Sequence, residues 1–233
     1  LPKKYLLYQA ITNRINATSL SEDHIFSVIQ LSILSSQSLI EMHGHEVNDG
    51  YVIAVSELLS LITKDYNATL YKISDHFYIL TPLSHNYTIT KEMIDDILFS
   101  FEKELDYKNF SKQLQVSLGV ATYPEDGENY HALLKHTQIA WEHAIKTPKS
   151  SYVPYTNALE SSIKQRLYIQ DELSSAIQSN QLYLCFQPIF DLQSYEISGF
   201  ETLVRWQHPE LGNVSPADFI PIAEESLFII PIG

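Results

Sequence analysis

The apolar residues of this chain switch repeatedly between two spacings, and that switching excludes both an all-helical and an all-strand fold. From Ile25 to Leu34 they form a short β-branched run that reads as a buried strand. Val52, Val55, Leu58, Leu59 and Ile62 then recur every three or four residues, which gives Glu46 to Thr63 one apolar helical face. Two strands follow, Ala68 to Ile73 and Phe77 to Thr81, separated only by Ser74-Asp75-His76, a spacing that suits a hairpin. Met93, Ile94, Ile97, Leu98, Phe101 and Leu105 mark another amphipathic helix, and Leu114, Val116, Leu118 and Val120 alternate as a half-buried strand that ends at Tyr123-Pro124. Leu133, Thr137, Ala140, Trp141 and Ala144 predict a further helix, closed by Thr147-Pro148 because proline cannot extend the ladder. This order predicts an α+β domain: a mostly antiparallel sheet flanked by helices.

Beyond it, Leu159, Ile163, Leu167, Leu173 and Ile177 signal a connecting helix, followed by strands Leu182 to Pro188 and Glu196 to Trp206. A last helix is expected after Ser215-Pro216, with Ser215 as cap and Pro216 in the first turn. The expected boundaries are 1–155, 156–180 and 181–233. With 233 residues, 45% of them hydrophobic, the chain can bury one full core and part of a second. Its net charge of -13 repels nucleic-acid phosphate and anionic membranes, so no nucleic-acid partner is expected. No run approaches the ~18 apolar residues of a membrane span, and Leu1-Pro2-Lys3-Lys4 opens no signal peptide, which predicts a cytoplasmic chain or the cytoplasmic part of a larger sensor. The single Cys185, inside Leu182 to Phe186, reads as a small buried residue. The nine histidines, with His43 and His45 closest together, show no zinc-ligand spacing.

Specific motifs appear in both halves. The second carries Phe186-Gln187-Pro188-Ile189, then Gly199-Phe200-Glu201-Thr202-Leu203-Val204-Arg205-Trp206-Gln207-His208-Pro209, then Ser215-Pro216-Ala217-Asp218-Phe219-Ile220-Pro221. These resemble the opening of an EAL domain, with Glu201-Thr202-Leu203 in the place of Glu-Ala-Leu. The first half carries Val116-Ser117-Leu118-Gly119-Val120-Ala121, Tyr123-Pro124-Glu125-Asp126-Gly127 and Ala140-Trp141-Glu142-His143-Ala144-Ile145-Lys146. With Ile11-Thr12-Asn13-Arg14, Gly44-His45 and Asn48-Asp49, they resemble a GGDEF domain. Its signature is degenerate: Gly-Gly-Asp-Glu-Phe reads Ile73-Ser74-Asp75-His76-Phe77 here. Together the resemblances imply a cyclic-di-GMP signalling protein whose second part holds the first strands of an EAL-type (β/α)8 barrel.

A cyclase of this family holds Mg²⁺ ions against a triphosphate, and Mg²⁺ needs hard oxygen ligands in near-octahedral geometry. By resemblance the first-strand aspartates fall on Ser32 and Leu34, leaving Asp75 as the one retained carboxylate. Ile73 replaces a glycine that lets the backbone approach a nucleotide, and His76 replaces the signature Glu. The phosphate- and base-holding segment falls on Ser36-Gln37-Ser38-Leu39-Ile40-Glu41 and has lost its amine and amide. Asp49 and Lys146 persist; helix-start and solvated last-turn roles suit them better than chemistry. The product-inhibition motif falls on Lys64-Asp65-Tyr66-Asn67 and matches at neither end. The first domain therefore holds no expected catalytic residue, and any GTP binding is expected to be weak.

In the EAL part the resemblance implies that Glu201 binds a catalytic metal, Mg²⁺ or Mn²⁺ in a complete domain. It implies that Gln187 and Leu203 line the dinucleotide pocket and that Arg205 holds a phosphate oxygen. Spacing alone also allows, as the lesser alternative, an ion pair between Glu201 and Arg205, four apart on one strand face. Trp206 and His208-Pro209 read as packing and turn residues. A (β/α)8 barrel needs about 250 residues, and its later carboxylates are not within this chain. By itself the chain is therefore expected to hold no cofactor, to hydrolyse nothing, and to bind cyclic-di-GMP only where the EAL domain is complete. Two parent functions stay open, a phosphodiesterase with a regulatory GGDEF-like half and a wholly non-catalytic interaction or sensor module. The apolar strands further raise the expectation of fold-back on residues 1–155 or of a homodimer.

Overall fold

Strand β1 (Phe26–Ile33) lies in the middle of its sheet because nearly every side chain on both of its faces is buried. The computed structural model describes residues 3–18, 24–34, 40–42 and 44–232, which form two compact units, 1–160 and 161–233. In the first unit α1 (Lys3–Thr18) precedes β1, and α2 (His45–Asp65) leads to the hairpin β2 (Thr69–Ile73) and β3 (His76–Leu80). Then come α3 (Thr88–Ser100), the hairpin β4 (Glu104–Tyr107) and β5 (Phe110–Gln113), β6 (Val116–Tyr123), α4 (Tyr130–Ala144) and β7 (Ser151–Pro154). The five-stranded sheet runs β2-β3-β1-β6-β7, antiparallel except for the β6–β7 pair.

Register sorts the side chains into two layers. Ile29 lies opposite Ile79 and Val120, and Leu31 opposite Phe77 and Leu118, so these six face one way. They pack with Tyr51, Val55 and Leu59 of α2 and Met93, Ile94 and Ile97 of α3. On the opposite face Gln30 lies across from Gly119, and a Cβ on Gly119 would sit 2.2 Å from the backbone nitrogen of Trp141 in α4. On β6 that face is thus built from small residues, Ser117, Gly119 and Ala121, because a helix backbone rests on it. A buried hydroxyl cluster ties the ends of four elements: Ser27 Oγ lies 2.8 Å from Thr122 and 3.1 Å from Thr90, while Thr81 Oγ1 accepts the Ser27 N–H at 2.7 Å.

Three expectations need correction here. Leu105 does not extend the helix that carries Met93: α3 ends at Ser100, and the residues beyond it alternate in the β4–β5 hairpin, whose turn places Lys108 at φ 52. The spacing from Phe101 to Leu105 imitated a helical period by chance. Strand β6 is buried on both faces rather than one, for the reason Gly119 illustrates. His76 belongs to β3 rather than to the turn, because it pairs with Ile73. Helix α1 and strand β7 add elements that hydrophobic spacing had not indicated.

Helix α5 (Asn157–Gln178) carries the chain into the second unit, an antiparallel sheet ordered β10-β9-β8 with α6 and α7. Its members are β8 (Leu182–Phe190), β9 (Ile197–His208), β10 (Gly212–Val214), α6 (Pro216–Glu225) and α7 (Ile229–Ile232). The β8–β9 connection is too short for the helical crossover that parallel neighbours require, so the pair is antiparallel. Asp191 shapes the turn by accepting the N–H groups of Gln193 and Ser194 at 2.7 and 2.8 Å. Trp206, fully buried, forms a small core with Ile169, Leu173, Phe219 and Ile222, and its Nε1–H donates to Gln181 Oε1 at 3.0 Å. His208 Nδ1 accepts the N–H groups of Glu210 and Leu211 at 3.1 and 3.0 Å, a turn role as expected.

Ser215 and Pro216 do open α6, yet the Ser215 side chain makes no capping bond; its carbonyl takes the N–H groups of Asp218 and Phe219 instead. Cys185 is half-buried, contrary to expectation, because its stretch of β8 lies beyond the small core.

Candidate functional site

The β2–β3 turn contains only Ser74 and Asp75, and Ser74 adopts φ 50, the left-handed conformation a tight hairpin turn requires. Behind the turn lies a cleft of about 420 Å³ lined by Ser32 from β1, Asn48 and Asp49 from α2, Lys72, Asp75 and His76 from the hairpin, and Trp141 from α4. Five of these residues were singled out from the sequence, although Asp49, the fifth residue of α2, lines the cleft rather than acting only as a helix-start residue. Lys72 and the role of Trp141 were missed. Nothing in their spacing indicated them; only the packing of α4 on the sheet brings Trp141 to β1.

Ser32, nearly buried, accepts a hydrogen bond from Trp141 Nε1–H at 2.9 Å. The His76 ring stands edge-on to the Trp141 ring at 4.7 Å, and its Nδ1 is buried without a hydrogen-bond partner. Burial lowers the His76 pKa, an effect the Asp75 charge opposes and the Lys72 charge reinforces, so the ring favours its neutral form. Lys72 donates to the Ser74 carbonyl and holds its ammonium 4.8 Å from the Phe77 ring centre. Asp49 and Asp75 are both exposed at the cleft rim. The half-buried Leu34 offers no oxygen from its side chain; Ile40 and Glu41 are described, whereas Ser36 to Leu39 and His43 lie outside the described residues.

This donor set does not fit two Mg²⁺ ions on a triphosphate. The hydroxyl at Ser32 is engaged by the indole, Ile73 places a branched side chain beside the turn, and His76 presents nitrogen where a hard oxygen is needed. Among the described residues no group of three or more His, Cys, Asp or Glu side chains is gathered as a metal site. Lys146 is exposed beyond the end of α4, and Lys64 to Asn67 form the end of α2 and its turn.

In the second unit, register brings the other candidates together. Gln187 lies directly opposite Glu201, Cys185 opposite Leu203 and Tyr183 opposite Arg205. Because alternate residues share a face, Gln187, Glu201, Leu203 and Arg205 lie on one side of the β8–β9 ribbon. Arg205 Nη1 donates to the Val204 carbonyl at 2.9 Å, and no ion pair links it to Glu201. The opposite face carries Leu184, Phe186 and Phe200, each more than half exposed. The ribbon thus separates a chemically equipped face from an apolar one.

Residues 1–151 match the family model described as diguanylate cyclase, GGDEF domain, and residues 170–233 match the EAL domain. The whole chain is 23% identical to the bifunctional diguanylate cyclase/cyclic di-GMP phosphodiesterase MucR of Pseudomonas aeruginosa and 24% identical to the cyclic di-GMP phosphodiesterase PdeR of Escherichia coli. It spans about a third of each, 34% of their length. In fold it resembles the GGDEF domain of PA1120 (TpbB or YfiN) from Pseudomonas aeruginosa, with a TM-score of 0.65 at 14% identity over 70% of this chain and 95% of that one. No helix among the described residues is long and apolar enough to cross a membrane. With residues 1–151 matched by the GGDEF family model and 170–233 by the EAL one, the chain belongs to the GGDEF family and continues into part of an EAL domain.

Proposed function

We propose that this chain is part of a cyclic-di-GMP signalling protein in which the GGDEF domain regulates and does not synthesise, while the EAL domain, where complete, hydrolyses cyclic-di-GMP. The observation that carries the first half is the Ser32–Trp141 hydrogen bond. It occupies the hydroxyl that stands in the place of a metal-binding carboxylate and sets an indole against the signature hairpin. Asp75 remains of the carboxylates that would hold metal, and it alone leaves two Mg²⁺ ions short of hard oxygen ligands. GTP binds weakly at most, because the cleft presents Asp49 and Asp75 to an anion.

For the EAL part, the shared face of Gln187, Glu201, Leu203 and Arg205 supports roles in holding a metal and the dinucleotide. Glu201 would ligate Mg²⁺ or Mn²⁺, whose chemistry is to polarise a phosphoryl oxygen and activate water. Arg205 would meet a phosphate oxygen, and Gln187 and Leu203 would flank the substrate. The remaining metal ligands must come from strands beyond these. The cytoplasm is the compartment in which this nucleotide chemistry would operate.

The deciding experiment incubates the protein at micromolar concentration with GTP and Mg²⁺ or Mn²⁺ and follows cyclic-di-GMP by chromatography. No product is expected. Product that disappears with Asp75→Ala would overturn the regulatory reading. In a longer protein holding a complete EAL domain, Glu201→Ala should abolish cyclic-di-GMP hydrolysis and Arg205→Ala should weaken substrate binding. Unchanged turnover in the Glu201 variant would remove the metal role.

A further inference from the structure

The end of β1 opposite the signature cleft holds a second cavity of about 280 Å³. Three tyrosines line it from three elements: Tyr87 at the start of α3, Tyr123 at the end of β6, and Tyr155 just after β7. Glu125 and Asp126 line it as well, and no lysine or arginine among the described residues does. Apolar walls come from Ile25, Val120 and Pro154. The volume sits at the lower edge of small-molecule pockets, which are about 300–1,000 Å³.

The charged lining residues are both acidic, and His136, which stacks on Tyr155, is a basic group that acts on Asp126. Burial raises the Asp126 carboxyl above its ordinary range, even though its Oδ2 accepts the Thr122 N–H at 2.7 Å. A half-buried carboxylate in a cavity lined by no lysine or arginine would be held in its charged form by a ligand cation. The Tyr87 hydroxyl is buried close to Thr122. Aromatic faces and a carboxylate around one small space are the features that bind an organic ammonium group: the rings attract the cation through their quadrupoles and the carboxylate through its charge.

We propose that this cavity binds a small organic cation, an ammonium group on a compact apolar body, at a site separate from the signature cleft. Occupancy would be felt along the chain. Tyr155 is nearly buried, stacks on His136 at 4.0 Å and donates its hydroxyl to Glu160 in the first turn of α5 at 2.9 Å. Glu160 also accepts Lys135 Nζ at 2.7 Å. A ligand pressed on the Tyr155 ring therefore acts on the residues that fix the start of α5.

Choline is the probe, and 3,3-dimethylbutanol, its uncharged analogue of the same shape, is the control. Titration of the full 233-residue chain, followed by tyrosine fluorescence and by backbone amide shifts, should show saturable choline binding. The analogue should bind at least tenfold more weakly. Asp126→Asn keeps an acceptor for Thr122 and removes the charge, so it should weaken choline at least tenfold while its melting temperature stays near that of the parent. Asp75→Asn, in the other cleft, should leave choline binding unchanged. Tyr155→Phe should retain binding but abolish the ligand-induced protection of residues 157–163 from hydrogen exchange. Equal binding of choline and its analogue, full affinity in Asp126→Asn, or no saturation by choline would overturn the proposal. None of these outcomes bears on cyclase activity, so this site and the regulatory reading stand or fall separately.

Discussion

Gly119→Ala tests how closely α4 is seated on the sheet. A Cβ there would lie 2.2 Å from Trp141 N, 2.4 Å from the Thr137 carbonyl oxygen and 2.6 Å from Trp141 Cα, all backbone atoms that cannot rotate away. Ordinary contact needs about 3.4 Å or more, so α4 must retreat by roughly 1 Å. Overpacking of this kind costs about 1–3 kcal/mol. The retreat also stretches the 2.9 Å Trp141–Ser32 hydrogen bond, worth about 1 kcal/mol. The expected loss is therefore about 3 kcal/mol, a large share of the ~5–15 kcal/mol available to a domain. Urea unfolding in a Trp206→Phe background, which leaves Trp141 as the fluorophore, measures it directly. Gly199→Ala is the control, since no atom lies within 4 Å of the Cβ it would add. A loss below about 1 kcal/mol at Gly119, or an equal loss at Gly199, would refute the close-seating argument.

Trp206→Ala should cost the second unit about 3–5 kcal/mol, as deletion of a fully buried aromatic does, and far-UV circular dichroism on urea titration should show that unit unfolding first. Burial holds the His76 and His143 pKa values below the ordinary 6.5, so the unfolded chain takes up protons that the folded one refuses, and stability falls as pH drops through that value. His76→Asn with His143→Asn should flatten the change in urea midpoint between pH 7.5 and 5.5; an unaltered slope would show that other groups dominate. The exposed Leu184, Phe186 and Phe200 should drive concentration-dependent association, since a few hundred Å² of apolar surface at ~25 cal/mol per Å² amounts to several kcal/mol. Light scattering should show larger species that vanish when all three are changed to Ser; a monodisperse monomer at every concentration would contradict this.

Between β1 and α4 the order β1, α2, β2, β3, α3, β6, α4 was legible because these elements are consistently spaced, whereas α1 and β7 were not, and the motif Glu201-Thr202-Leu203 with Gln187 announced the second unit. That Ser32 and Leu34 carry no carboxylate was equally plain, since it depends on residue type alone. The hairpin β4–β5 was not legible, because Leu105 falls four residues after Phe101 and period alone cannot separate a helix from a strand over so short a run. Burial of β6 on both faces was invisible for a different reason: Ser117 and Gly119 look like the polar side of an alternating strand until a helix is laid on them. Tertiary packing alone brought Trp141 to Ser32 and gathered Tyr87, Tyr123 and Tyr155 from three elements around Asp126. Spacing in sequence reports only what neighbours along one element share, whereas each of these contacts joins residues whose distance is set by how separate elements pack.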